Sequence, residues 1–166
     1  IDGPLAQVID GGSLTLSDIH VDGNGRNVES VASAFTVKDG QLNVRNGAVI
    51  EGQKTMQHNG GAIYIYKDGA LDMSGGEVRD NQSVGYGGGI YNGGSFEFSG
   101  GPVTGNAAGY NGGGIFNSGS MEMSGKLIVR DNKLNGEASD LYMVKGKYAV
   151  MTAALSDDAD IKVDSH

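Results

Sequence analysis

The most constraining feature of the sequence is a repeat of 25 to 29 residues. Its clearest copies are residues 88–101 and 113–125, which align at an offset of 25. Each repeat contains a triplet in which the first and third residues are apolar. Because side chains alternate between the two faces of a strand, this pattern predicts a short strand with one buried face. The six triplets begin at Leu14, Leu42, Leu71, Phe96, Met121 and Tyr148.

A glycine stands two residues before each triplet, and we expect it to form a turn with positive φ. These glycines are Gly12, Gly40, Gly69, Gly94, Gly119 and Gly146. Two further series of apolar anchors predict a second and a third strand in every repeat. One series is Val21, Ile50, Val78, Val103, Val129 and Leu155, and the other is Val8, Phe35, Ile63, Ile90, Ile115 and Leu141.

Two polar series follow the same period. The first consists of amides and one acid: Asn24, Gln53, Asn81, Asn106, Asn132 and Asp158. We expect its five amides to stack at a corner through side-chain hydrogen bonds along the axis. The second places the carboxylates of Asp72, Glu97 and Glu122 about 4.8 Å apart at successive triplet centres, where like charges repel. A bound cation such as Ca²⁺, Arg79 and Arg130, or solvent and salt could offset that repulsion.

The period and the composition together select one architecture. Glycine supplies 30 of the 166 residues, a density that disfavours helix, and the segments between strands lack the apolar stripe of a leucine-rich repeat. The repeat is also too short for a propeller blade. The sequence therefore predicts an all-β fold, a parallel β-helix of about six coils with three short strands each, as a single domain over residues 1–166.

Three glycine-rich phrases carry a resemblance to a known family. Residues 60–64 (GGAIY), 88–92 (GGIYN) and 96–106 (FEFSGGPVTGN) resemble the repeats of pectate-lyase-like right-handed β-helices in large bacterial surface proteins. The resemblance covers about residues 8–158 and implies a right-handed single-stranded β-helix, a segment of a longer protein that is secreted or at the cell surface. The GGAI element is similar to that of polymorphic outer-membrane proteins, but their Phe-x-x-Asn element does not recur here in the same manner.

Charge and composition exclude several classes of partner. The net charge is −8, with twelve basic residues among twenty acidic ones, which argues against nucleic acid because a phosphate-binding surface needs clustered Lys and Arg. No apolar stretch approaches the roughly 20 residues of a membrane span, so we expect no membrane insertion. The absence of cysteine excludes disulfides and thiolate metal sites.

The candidate binding residues are aromatic. The outward positions of the strands that begin at the third anchor are Ile9, Thr36, Tyr64, Tyr91, Phe116 and Tyr142, and Tyr86 and Tyr110 precede the same strands. We expect Tyr64, Tyr91, Phe116, Tyr142, Tyr86 and Tyr110 to form an exposed strip on which the apolar faces of sugar rings could stack. The alternative is that the rings stack on one another for stability or lie under a neighbouring domain.

Catalysis has weaker support in the sequence. The best carboxylate pair is Asp22 with Glu51, which the frame places in adjacent coils at a separation near that of a retaining glycosidase. The histidines His20, His58 and His166 show no metal-ligand spacing. We therefore expect a non-catalytic module without a cofactor, an adhesin or glycan-binding face or a spacer, with an extracellular glycan or other surface ligand and the neighbouring domains as partners. The alternative is a module of a polysaccharide lyase or glycoside hydrolase.

Overall fold

The computed structural model describes residues 3–24, 29–56 and 58–165. In these ranges the chain contains no helix and forms a parallel β-solenoid of about five turns. The predicted all-β parallel architecture is confirmed, and the number of turns is about five rather than six. The last turn, which begins at Leu141, is incomplete among the described residues, because it lacks a strand in one of the three sheets described below. No helix in the described part of the chain could cross a membrane.

Three sheets run along the solenoid. Sheet 1 holds seven parallel strands: Ala6–Val8, Phe35–Val37, Ile63–Ile65, Ile90–Asn92, Ile115–Asn117, Leu141–Met143 and Val163–Ser165. Sheet 2 combines the triplet strands with the second-anchor strands: Ser13–Leu16, His20–Asp22, Gln41–Val44, Val49–Glu51, Ala70–Ser74, Glu77–Arg79, Ser95–Thr104, Ser120–Arg130, Ala149–Leu155 and Asp160–Ile161. Ser95–Thr104 and Ser120–Arg130 each join a triplet strand and a second strand into one continuous strand, with an irregularity in the pairing beside Gly100 and Gly125.

Sheet 3 was not predicted. It consists of two-residue strands that follow the corner amides: Lys54–Thr55, Gln82–Ser83, Ala107–Ala108, Lys133–Leu134 and Glu137–Ala138. The last of these runs antiparallel to Lys133–Leu134, while the others pair in parallel. A regular turn therefore contains four strand segments rather than three.

The core is a narrow column between the sheets. In the middle turns the predicted inner ladders are confirmed, because Leu42, Leu71, Phe96 and Met121 pair in register and are at most 1% exposed. Each such residue packs on its equivalents in the turns above and below, so apolar area is buried along the whole axis.

The predicted register is wrong in sheet 2 of the last turn and in sheet 1 of the first turn, whereas Leu14 and Val21 pair with Leu42 and Ile50 as predicted. In the last turn Ala149 pairs with Met121 and Ile161 with Val129, whereas Tyr148 is 74% exposed, and Val150 and Leu155 also lie at the surface. The cause lies in the preceding turn, where the Lys147 N–H donates to Val144 O as the Gly69 N–H donates to Tyr66 O. Lys147 rather than Gly146 therefore occupies the turn position, and the triplet strand moves by one residue. The second anchor moves by six residues, from Leu155 to Ile161.

The first turn is displaced by two residues in sheet 1. Ala6 pairs with Phe35 and Val8 with Val37, so Gln7 rather than Ile9 is the neighbour of Thr36. Ile9 lies outside the strand and is exposed.

The predicted positive φ at the repeated glycines is also wrong, except at Gly146. The position requires glycine for a different reason in the regular turns. A Cβ atom on Gly94 would collide with the carbonyl oxygens of Gly69 and Tyr66, and one on Gly119 with that of Gly94. The stacked backbones approach so closely at this corner that no side chain fits between them.

Candidate ligand-binding face

The outer side of sheet 1 carries a column of aromatic rings, as the alternation predicts. Tyr64, Tyr91, Phe116 and Tyr142 pair in consecutive strands, whereas the residues that flank them, such as Ile63 and Ile90, point into the core. The parallel register places one ring directly above the next.

The rings stack face to face. The centroids of Tyr64 and Tyr91 are 4.7 Å apart with an interplanar angle of 10°. Phe116 lies 5.3 Å from Tyr91 at 13° and 5.5 Å from Tyr142 at 8°. The Ser118 hydroxyl donates to the Tyr91 phenol oxygen at 3.3 Å, and this hydrogen bond further restricts the position of the Tyr91 ring.

This stacking corrects the expectation of a fully exposed strip. Phe116 is only 7% exposed, and Tyr64, Tyr91 and Tyr142 are half-buried. Because the ring faces of Tyr91 and Phe116 are occupied by their neighbours, a sugar ring cannot stack on them. The inner column therefore has the mutual stacking that the structural alternative predicts.

The accessible rings lie beside this column. Tyr86 packs on Phe116 with centroids 4.6 Å apart and on Tyr110 at 5.1 Å, and the exposed fractions of Tyr86 and Tyr110 are 36% and 60%. The Tyr86 N–H donates to Asn59 Oδ1 at 2.9 Å, which positions this tyrosine in the turn before the strand.

Tyr66 completes the group and was not predicted as a site residue. Its ring lies 4.4 Å from that of Tyr64, and it is 43% exposed. The alternating segment Ile63, Tyr64, Ile65 and Tyr66 could have indicated it, because the two tyrosines occupy the same phase of the alternation. We call Tyr66, Tyr86 and Tyr110 the outer tyrosines.

A groove opens where the aromatic column ends. It has a volume of about 330 Å³, and its lining includes Thr36, Lys38, His58, Asn59, Tyr64 and Tyr66. Burial raises the pKa of the Tyr64 phenol, and the neighbouring phenols Tyr91 and Tyr66 raise it further, while a hydrogen bond with the Asn59 side chain acts in the opposite direction.

The carboxylate column on sheet 2 has the predicted register, since Asp72, Glu97 and Glu122 are direct neighbours. Asp72 forms an ion pair with Arg45 at 2.6 Å rather than with Arg79 or Arg130. Glu97 and Glu122 are exposed, and neither forms an ion pair within the described ranges.

The candidate catalytic pair is adjacent but occupied by other contacts. Asp22 and Glu51 pair in neighbouring strands, as the frame predicts. Glu51 contacts His20 Nε2 and Arg79 Nη2, each at 2.6 Å, and Asp22 Oδ1 accepts from the Asn24 N–H at 2.7 Å. Within residues 3–24, 29–56 and 58–165, no group of three or more His, Asp or Glu side chains could hold a metal ion. His166 lies outside the described residues.

Comparisons of the chain with protein-family models, curated proteins and solved structures give no match.

Proposed function

We propose that the chain is a non-catalytic β-helix module of a bacterial surface or secreted protein, and that the outer tyrosines bind an extracellular glycan or another surface ligand. The observation that carries this proposal is the exposure of Tyr66, Tyr86 and Tyr110 beside a column of rings that already stack on one another. Tyr86 and Tyr110 contact each other next to Phe116, and Tyr66 contacts Tyr64 in the same column. Exposed apolar surface of this kind generally marks a contact site.

The inner and outer rings have different roles in this proposal. The inner column supplies a rigid base, because Tyr91 and Phe116 are held on both faces by neighbouring rings. Tyr110 contacts one described ring only, and its solvent-facing side can cover the apolar face of a pyranose ring. A ligand that binds such pre-positioned side chains loses little affinity to side-chain ordering.

The contacts of Glu51 give the enzyme alternative less support. A nucleophile or general base must be free to reach the substrate, whereas Glu51 is paired with both His20 and Arg79. The bacterial surface location and the pectate-lyase-like relationship remain part of the proposal and rest on the glycine-rich repeat phrases. In the parent protein the same module would also separate neighbouring domains as a spacer.

A glycan array combined with mass spectrometry of the incubated sugars tests this function. We expect retention of at least one glycan without any change in its mass. Tyr110→Ala should abolish retention of the glycan. Tyr148→Ala removes an even more exposed tyrosine from the last turn and should leave retention unchanged. Cleavage of the retained glycan would contradict the proposal and favour a polysaccharide-active enzyme, and the absence of any retained ligand would leave only the spacer role.

A further inference from the structure

The groove at the end of the aromatic column results from a change of residue size at one register position. Tyr64 pairs with Thr36 in the preceding strand, and Thr36 pairs with Gln7. The column of rings therefore stops at Tyr64, and the groove lies at this end of the column. Tyr66 forms a second aromatic wall beside it.

The groove contains a buried polar group that lacks a partner. Thr36 is 8% exposed, and its hydroxyl Oγ1 makes no hydrogen bond with any described residue. A buried hydroxyl without a partner is unfavourable, and most such groups in proteins are hydrogen-bonded. The hydroxyl is covered by protein atoms in this side-chain conformation, and rotation of Thr36 about its Cα–Cβ bond would turn it toward the groove, where a ligand hydroxyl would satisfy it.

The charge of the groove is opposite to that of the chain. Twenty acidic residues against twelve basic ones give the whole chain a net charge of −8. The described lining of the groove nevertheless includes no carboxylate, whereas it includes Lys38 and His58. Lys38 is exposed and forms no ion pair with a described residue, so its ammonium group is available to a ligand.

We propose that this groove binds one pyranose residue that carries an anionic substituent, a carboxylate or a sulfate. The sugar ring lies against Tyr64 and Tyr66, a ring hydroxyl pairs with Thr36 Oγ1, and the anionic group faces Lys38. The volume of about 330 Å³ is at the small end of ligand pockets and suits a single sugar unit. The proposal rests on the proposed glycan-binding function and specifies where its charged residue is recognised.

Titration calorimetry with three related sugars tests the charge preference. The probes are methyl glucoside, methyl glucuronide and methyl glucoside 6-sulfate, which differ only in the group at carbon 6 of the sugar. We expect at least one anionic probe to bind ten times more tightly than methyl glucoside, and the two anionic probes separate carboxylate from sulfate recognition. Equal affinity of all three would overturn the proposal.

Two sets of variants locate the binding site. Lys38→Gln should reduce the preference for the anionic probe at least fivefold, whereas Lys67→Gln, at another exposed turn position, should leave it unchanged. Thr36→Tyr extends the aromatic column into the groove and should abolish binding. Thr36→Val keeps the shape of the side chain without the hydroxyl and should weaken binding severalfold, which provides a second measurement if Thr36→Tyr does not fold. Unchanged affinity in folded Thr36→Tyr would overturn the proposal.

The array and the titrations distinguish this inference from the broader function. Retention of a glycan that is lost in Tyr110→Ala but kept in Thr36→Tyr would support the outer tyrosines as the binding face and overturn the groove. Saturable binding of an anionic probe that is lost in Thr36→Tyr would support the groove, even where Tyr110→Ala has no effect on the array.

Discussion

Asn106 and Asn132 are joined by a pair of hydrogen bonds between successive turns. The backbone N–H and the side-chain Nδ2 of Asn106 both donate to Asn132 Oδ1 at 3.0 Å. Asn81 donates to Asn106 in the same way, and Asn132 donates to Asp140 Oδ1. Asp140, rather than the predicted Asp158, therefore ends the amide ladder, and a carboxylate suits this end because it only accepts hydrogen bonds.

Removal of one amide from this ladder should destabilise the solenoid. Asn106→Ala removes the acceptor of the Asn81 backbone N–H and one acceptor of the Asn81 side-chain amide. It also removes the side-chain donor to Asn132 Oδ1 and to the carbonyl oxygens of Val78 and Thr104, whereas the backbone N–H of residue 106 can still donate to Asn132. Because unsatisfied buried groups cost about 1 to 3 kcal/mol each, we expect a loss of about 3 kcal/mol in the free energy of unfolding. Urea denaturation of Asn106→Ala measures it. Asn111→Ala, which removes a half-buried amide without a described side-chain hydrogen bond, is the control, and equal losses in the two variants would contradict the role of the ladder.

Position 94 should tolerate no side chain, even that of a residue which accepts positive φ. Asparagine accepts positive φ better than most residues do, so Gly146→Asn, at a φ of +83° with no atom near its Cβ position, should cost less than about 1 kcal/mol. Gly94→Asn forces a Cβ against the carbonyl oxygens of Gly69 and Tyr66 and should cost at least about 2 kcal/mol more. Thermal melting of the two variants compares them. Similar melting temperatures would contradict close backbone approach as the reason for glycine at position 94.

The sequence predicts the middle turns well because each strand there has a neighbour on both sides. Leu71 and Phe96, for example, occupy the same inward position in adjacent strands. A strand in an end turn has a neighbour on one side only. In the last turn, Lys147 takes the turn position predicted for Gly146, and this shift by one residue exchanges the inward and outward faces of the last triplet strand. Two-residue strands such as Gln82–Ser83 are too short to show any alternation, so sheet 3 leaves no signal in the sequence.

The sequence predicts on which side of the strands the aromatic residues lie, but it does not predict how exposed their side chains are. Period-two alternation places Tyr91 and Phe116 on the outer side of their strands, and the structure confirms this side. Alternation contains no information about what covers an outward side chain, and Phe116 is buried by other rings, among them Tyr86 from a turn. The predicted series already contains the change from Thr36 to Tyr64 that ends the column. It places Ile9 beside Thr36, however, whereas the first turn has Gln7 there, so the groove itself could not be predicted.

Replacement of Glu97 by glutamine should stabilise the protein slightly at low salt. Glu97 lies between Asp72 and Glu122 in register, and because Asp72 is paired with Arg45, the uncompensated repulsion is mainly that with Glu122. Salt screens exposed charges, so the rise in melting temperature of Glu97→Gln should shrink between about 10 mM and 1 M salt.

The same melting experiment with Ca²⁺ checks for a cation on the carboxylate column. If Glu97→Gln lowers the melting temperature only when Ca²⁺ is present, a metal site rather than repulsion governs this position. Glu137→Gln, an exposed carboxylate of sheet 3, is the control and should show neither effect.

The raised pKa of Tyr64 predicts how stability depends on pH. Burial makes the phenolate of Tyr64 less favourable in the folded state, so its folded pKa lies above the unfolded value of about 10. The resulting stability is fully present below pH 10 and is lost as the pH rises through the folded pKa. Tyr64→Phe should therefore show a smaller decline in the free energy of unfolding above about pH 10. Denaturation at several alkaline pH values measures this decline. Tyr148→Phe removes the phenol of an exposed tyrosine and is the control. Identical declines in the unmodified protein, Tyr64→Phe and Tyr148→Phe would contradict the burial argument.

The strongest contrast among the aromatic residues should be between Tyr91 and Tyr110. Tyr91 lies between Tyr64 and Phe116 in the stacked column, so Tyr91→Ala removes two ring contacts and opens a gap in the column. We expect Tyr91→Ala to lower the free energy of unfolding by about 2 to 4 kcal/mol, since truncation of a core aromatic costs about 3 to 5 kcal/mol and Tyr91 is half-buried. Tyr110 is 60% exposed and contacts only Tyr86 among the described rings, so Tyr110→Ala should change the melting temperature little.

The effects of these two variants on binding should be reversed. Tyr110→Ala should abolish retention of the glycan found on the array, because aromatic anchors supply most of the binding energy in such contacts. Tyr91→Ala, measured well below its melting temperature, should retain most of the affinity, because its ring faces are not available to a ligand. Thermal melting and ligand titration on both variants decide between the two roles. A stable Tyr91→Ala that no longer binds would show that the inner column itself contacts the ligand, and the assignment of the outer tyrosines as the binding face would then be wrong.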